Sequence, residues 1–156
     1  MGEIAEQMND LTRIRDVFDK QGWYPARWSH HPKEIRDALK AMRYRPRIKS
    51  CWQNSQVFFL RCNLELQNPI AKNLFYCEGW IDTVGVPMEH AWLLYKDEIL
   101  DLTLAENDRR KVVYIGCGLT YTVDEVLAHL RESKFYSPVD KRKLLSVSPF
   151  KEFIRK

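Results

Sequence analysis

Residues 85–103 read GVPMEHAWLLYKDEILDLT, and the way this stretch pairs with itself decides the fold. Two largely apolar runs flank Lys96-Asp97, the pattern of an antiparallel hairpin closed by a tight turn. On strand alternation His90, Trp92 and Leu94 share one face, while Glu89, Ala91, Leu93 and Tyr95 share the other. A two-residue turn at Lys96-Asp97 pairs Tyr95 with Glu98 and Trp92 with Asp101. Asp101 then lies on the His90 face, one diagonal step away, at a Cα separation of roughly 7 Å. A plain three-residue loop puts Asp101 opposite Leu93 instead, on the wrong face. One turn thus determines whether an imidazole and a carboxylate meet.

Upstream, residues 51–67 read CWQNSQVFFLRCNLELQ. Ser50 is a good N-cap for a helix starting at Cys51, and Asn68-Pro69 stops it. Its centre, VFFL, is apolar on all sides, which places it in the middle of the fold. Before it, Ile4, Met8, Leu11, Ile14 and Phe18 recur at helical spacing, so residues 3–20 are expected to form an amphipathic helix. The loop GWYPARWSHHP follows, with Trp23, Tyr24, Trp28, His30 and His31. Pro32 opens a second helix to about Tyr44, with Ile35, Leu39 and Met42 facing inward. After the central helix come strands at 74–82, 88–95, 98–104 and 111–117. Thr122 with Glu125 forms a capping box for a helix to about Phe135. The tail VDKRKLLSVSPFKEFIRK is a last helix or a basic end. Helices, a central helix, an antiparallel meander and a closing helix make the fold class α+β.

The chain has 156 residues, 45% of them hydrophobic, enough for one domain with a real core. We expect a helical part over 1–48, a core carrying the chemistry over 49–117, and a C-terminal helix with basic tail over 118–156. The longest unbroken apolar run, Ala91–Tyr95, is far short of a membrane span. Charge begins at Glu3 with no apolar signal segment, and Glu6 stands where a myristoylation motif needs Ser or Thr. A cytoplasmic chain with no membrane partner is expected. Cys51, Cys62, Cys77 and Cys117 form no CxxC pair, so neither a disulfide framework nor a metal site is expected.

Cys51 stands in the first turn of the central helix. A helix N-terminus offers free N–H groups and a positive partial charge, which favour a thiolate and steady an oxyanion. Cys62 lies on the same helix face but about 16 Å further along the axis, and belongs to the core. A thiol at a helix start, a strand histidine and an aspartate on the same face form the set of nucleophile, base and orienting acid.

These residues resemble a family. CWQN beginning at Cys51, HAW beginning at His90 and DLT beginning at Asp101 are similar, in order and context, to three motifs of the transglutaminase-like, papain-like cysteine peptidase superfamily. The likeness spans roughly residues 48–117 and is closest in size to small bacterial or phage members. It implies a papain-like core, with the nucleophile helix packed on an antiparallel sheet and extra N-terminal helices. It also implies cysteine-dependent acyl transfer on an amide or ester, with a Cys51–His90–Asp101 triad and no cofactor. Gln53 and Asn54 are the first-turn side chains available to an oxyanion. Trp52, Trp92 and Glu78 are expected to line the site.

The net charge of +4 is concentrated. Residues 33–49 hold seven basic side chains against Glu34 and Asp37. Arg43, Arg45, Arg47 and Lys49 alternate just ahead of Cys51. They are read either as a solvated linker or, with Trp28, as a surface that recruits substrate. A protein or peptide substrate is the expected partner, with an acidic or phosphorylated one in view and nucleic acid less so. The alternative is a catalytically inert module of the same fold that binds a protein or nucleic-acid partner through this basic and aromatic surface.

Overall fold

A computed structural model describes residues 23–25, 31–65, 68–83, 86–104 and 112–148, with α+β architecture. The expected helix over 3–20 and the loop residues Trp28 and His30 lie outside the described residues. The first helix described, α1, covers Lys33–Ala41. Pro32 stands just before it, its carbonyl accepting from the Ile35 and Arg36 N–H groups at 3.0 and 3.1 Å. Ile35, Leu39 and Met42 are buried, as their spacing requires. The central helix α2 covers Cys51–Leu64 and buries Phe58, Phe59, Leu60 and Cys62. Each fully buried side chain of this size contributes roughly 1.5–3 kcal/mol. The helix ends short of Gln67 because Glu65 is already extended.

A short 3-10 helix, Pro69–Asn73, leads into the sheet. Its strands are β1 (Trp23–Pro25), β2 (Leu74–Thr83), β3 (Val86–Tyr95), β4 (Glu98–Leu100) and β5 (Val112–Tyr121). They stand in the order β1-β5-β2-β3-β4, with antiparallel pairing throughout. Strands β2 to β4 form the expected meander, but β5 returns to the free side of β2 instead of extending it. Trp23–Pro25, read as loop, pairs with β5. Aromatic residues favour a pleated edge, and an edge is where a strand tolerates proline.

The hairpin has the two-residue turn. Tyr95 pairs with Glu98, Leu94 with Ile99 and Leu93 with Leu100. Lys96 and Asp97 have φ of 50° and 65°, the paired positive values of the turn that matches strand twist. Strand β4 stops at Leu100, short of the expected Leu104. The Asp101 carboxylate captures the Thr103 and Leu104 N–H groups at 2.9 and 3.2 Å, which turns the chain out of the ladder. Among the described residues, β3 is paired on that side from Leu93 to Tyr95.

Alternation divides the sheet's side chains into two layers. Leu74, Tyr76, Ala91, Leu93, Tyr95 and Leu100 pack with α1 and α2. Cys77, Ile81, Trp92, Leu94, Ile99 and Tyr114 form the second cluster. Beyond β5 the helix α3 (Val123–Ser133) begins with the expected capping box of Thr122 and Glu125. Its C-cap, Lys134, is left-handed. The last described helix, α4 (Lys141–Ser146), is capped by the Asp140 side chain. The strap 137–148 lies against the sheet. Ser137 O accepts from Gln56 Nε2 at 2.8 Å, Val139 N–H donates to Glu78, and Leu144 O accepts from Trp80 Nε1 at 2.9 Å.

No described helix is long and apolar enough to cross a membrane.

Candidate active site

The tight turn sets the first contact. Asp101 follows β4 directly, and its carboxylate reaches back to His90 on β3. His90 Nε2 and Asp101 Oδ2 are 2.6 Å apart, with His90 5% exposed and Asp101 fully buried. A carboxylate can only accept, so Nε2 carries the proton and Nδ1 is left as the ring's other functional atom.

Four groups satisfy Asp101. Oδ2 accepts from His90 and from the Tyr114 hydroxyl at 2.6 Å. Oδ1 accepts the N–H groups of Thr103 and Leu104. Burial alone pushes its pKa up, but His90, the Tyr114 hydroxyl and the Thr103 N–H outweigh this and hold it below the usual range. Burial likewise opposes a charged His90. The Asp101 carboxylate, and then the neighbouring Cys51 side chain, reverse that and hold the imidazole well above its ordinary value. Both partners are thereby biased toward an imidazolium–carboxylate pair.

Cys51 arrives from the other layer. Asn54, in the same helical turn, donates from Nδ2 to Thr103 Oγ1 at 2.9 Å. This draws the start of α2 to the point where β4 ends. Cys51 is half-buried and acts on the His90 ring as a hydrogen-bonding and electrostatic neighbour. Ser50 occupies the N-cap, but its side chain makes no cap hydrogen bond. The hydroxyl therefore leaves the first-turn N–H groups uncapped. Cys51, His90 and Asp101 thus meet at the junction of α2, β3 and the end of β4.

The other sequence candidates separate. Trp92 is fully buried, its ring stacked with His90 at 6.2 Å and set edge-on to Tyr114 at 5.0 Å. It walls the imidazole on the sheet side. Trp52 packs partly buried against the α2 core. Asn54 is fully buried and spends its amide on structure. Its oxygen accepts from the Tyr44 hydroxyl and Arg47 N–H, both at 2.9 Å, and Nδ2 also donates to Arg47 O at 2.8 Å. Gln53 is about 200° around the helix from Cys51. It lines a cleft of about 630 Å³ with Leu39, Lys40, Arg43, Tyr44, Arg45, Pro46 and Arg47. Lys49 is exposed and outside that lining.

Glu78 is fully buried behind the site. Its carboxylate accepts from the Tyr76 hydroxyl at 2.5 Å and from Val139 N–H at 2.9 Å. Burial lifts its pKa to about 7 despite these bonds, with Asp140 and Glu89 adding to the rise. Tyr76 and Tyr114 were not legible as site residues. Tyr114 comes from β5, whose place in the sheet no local pattern reveals, and a tyrosine in a strand usually signals packing alone.

Among the described residues no cluster of His, Cys, Asp and Glu is placed to hold a metal ion. Comparison with protein-family models, with curated proteins and with solved structures gives no match to this chain.

Proposed function

We propose that the chain is a cysteine-dependent acyl-transfer enzyme of the transglutaminase-like, papain-like type, acting on an amide or ester. The observation that carries this reading is the buried 2.6 Å contact between His90 Nε2 and Asp101 Oδ2, with Cys51 as the neighbour of the same imidazole.

The chemistry follows from the assignment of the ring nitrogens. Asp101 holds Nε2–H, so Nδ1 takes the Cys51 proton, and the imidazolium that the Asp101 carboxylate favours is formed together with the thiolate. The thiolate attacks the carbonyl carbon, and the carbonyl π pair moves to oxygen. The first-turn N–H groups of α2 are suited to receive that oxyanion. As the pair returns, the bond to the leaving amine breaks and His90 Nδ1–H supplies its proton. A thioester at Cys51 remains. Water then gives hydrolysis or deamidation, and an amine gives exchange. In either case His90 accepts the incoming nucleophile's proton and returns it to the sulfur.

The test is capture of the acyl-enzyme. With p-nitrophenyl acetate, intact-mass analysis and peptide mapping should find one acetyl group on Cys51, formed with a burst of p-nitrophenol. Cys51→Ala should abolish the burst, and His90→Ala should slow it by about a hundredfold or more. Acetylation spread over lysines, or unchanged in His90→Ala, rejects the mechanism.

A second reading, the inert binding module, draws on the basic cleft around Arg45 and Arg47. It expects Cys51→Ala to leave the biological effect intact.

A further inference from the structure

The cleft at the start of α2 has a composition the fold does not require. Lys40, Arg43, Arg45 and Arg47 line it together with Tyr44 and Gln53, and no carboxylate contributes to the lining. Among the described residues no carboxylate lies within ion-pair distance of Arg43, Arg45 or Arg47. Concentrated like charge without counter-charge repels itself and is a ready site for anions.

The loop that presents these groups is built, with left-handed backbone at Arg43 and again at Lys49. At the end of α1, Arg43 N–H bonds to Lys40 O and Tyr44 N–H to Leu39 O, both at 3.0 Å. This is the helix stop in which the left-handed position normally belongs to glycine. Here it is Arg43, with φ of 54°. A side chain in that region costs about 1 kcal/mol, yet the residue placed there is a cation facing the cleft. The far side of the loop is pinned by buried Asn54, which holds Arg47 through both its N–H and its carbonyl and holds the Tyr44 hydroxyl. The same Asn54 is bonded to Thr103, whose N–H holds Asp101. The backbone that carries these cations is therefore tied to the Cys51–His90–Asp101 centre.

We propose that this cleft is a subsite for an oxyanion-bearing peptide segment, in which carboxylate or phosphate side chains of the acyl donor are held by Arg43, Arg45 and Arg47. Guanidinium forks match both groups in paired hydrogen bonds. Gln53 and the Tyr44 ring offer polar and stacking contacts beside them. The subsite names the substrate class for the proposed acyl transfer and rests on that reading for its role, but binding can be measured without chemistry.

The experiment uses the full chain carrying Cys51→Ala, with fluorescence anisotropy of short labelled peptides. The probes are a glutamate-rich peptide, a phosphoserine version, an uncharged glutamine–serine version and oligothymidylate. Both anionic peptides should bind at least about tenfold more tightly than the uncharged one. A Glu-rich preference over phosphoserine assigns carboxylates as the source, and the reverse assigns phosphate. Arg45→Glu/Arg47→Glu should remove the preference, while the surface control Arg131→Glu/Arg142→Glu, with the same charge change, should retain it. Equal binding of the uncharged peptide, equal loss in the control, or tighter binding of oligothymidylate overturns the subsite. Acidic-peptide binding by a chain whose wild-type Cys51 forms no acyl-enzyme leaves the subsite standing and removes the acyl-transfer reading. An acyl-enzyme without anionic preference does the opposite.

Discussion

At the scale of single residues, the site depends on how Asp101 is satisfied. A buried charge is tolerable only when its lone pairs are all engaged, and Asp101 meets this with two side chains and two backbone N–H groups. Tyr114 is the partner that the sequence does not announce. Its hydroxyl takes no direct part in the chemistry proposed for Cys51 and His90, yet it fixes the carboxylate that fixes the ring. Tyr114→Phe keeps the packing against Trp92 and removes one charge-assisted hydrogen bond. It should cost about 1.5–3 kcal/mol in urea denaturation. A loss below a few tenths of a kcal/mol would show that Asp101 does not depend on it. Trp92 illustrates the opposite case, in which alternation alone placed a residue beside the imidazole.

At the scale of elements, the hairpin register is the decisive feature. Alternation and the two-residue turn were readable because the strand period is two and the flanking runs are strongly apolar. The paired positive φ values at Lys96 and Asp97 are the local form of that register. Deleting Asp97 leaves one residue between Tyr95 and Glu98, too few to close a hairpin, so the turn takes in Glu98 and Asp101 moves opposite Leu93. The circular dichroism of the sheet should persist, while acetylation at Cys51 falls to the level of His90→Ala. Retained acetylation would mean that Asp101 is not the orienting acid. Other boundaries were less legible for physical reasons. The end of β4 depends on a side chain competing with the ladder, since Asp101 draws Thr103 and Leu104 out of it. The place of β5 beside β2 depends on contacts far apart in sequence. Asn54, read as an oxyanion candidate from its first-turn position, is committed to the loop by partners at Tyr44, Arg47 and Thr103. The basic run gains a shape because Leu39 and Lys40 from α1 and Gln53 from α2 complete the lining of the cleft.

At the scale of the whole molecule, a buried acid joins the sheet to the C-terminal strap. Glu78 on β2 accepts from Val139 N–H, and Lys141 on α4 pairs with Glu89 at 2.7 Å, next to His90 in β3. Burial raises the Glu78 pKa from 4.5 to about 7. The folded state therefore holds a proton that the unfolded chain releases above 4.5, and stability falls as pH rises from there through 7. Glu78→Gln cannot ionise. The wild type should lose roughly 2–3 kcal/mol relative to this variant between pH 4.5 and about pH 8. Urea denaturation across that range measures the difference, and the His90–Asp101 contribution cancels between the two chains. Parallel stability curves would show that Glu78 ionises as freely folded as unfolded. The strap closes one side of the fold, and the basic cleft and Cys51 stand at the start of α2 on another element. The proposed acyl transfer requires that His90 activate one particular thiol. Cys62 provides the internal standard, since it is 1% exposed and burial pushes its pKa to about 12. The most direct measurement is iodoacetamide alkylation of the native chain near neutral pH, followed by peptide mapping over time. Cys51 should be modified at least about a hundredfold faster than Cys62 and faster than free cysteine, and His90→Ala should remove the advantage over free cysteine. A Cys51 rate no greater than that of free cysteine, unchanged in His90→Ala, would contradict activation by His90.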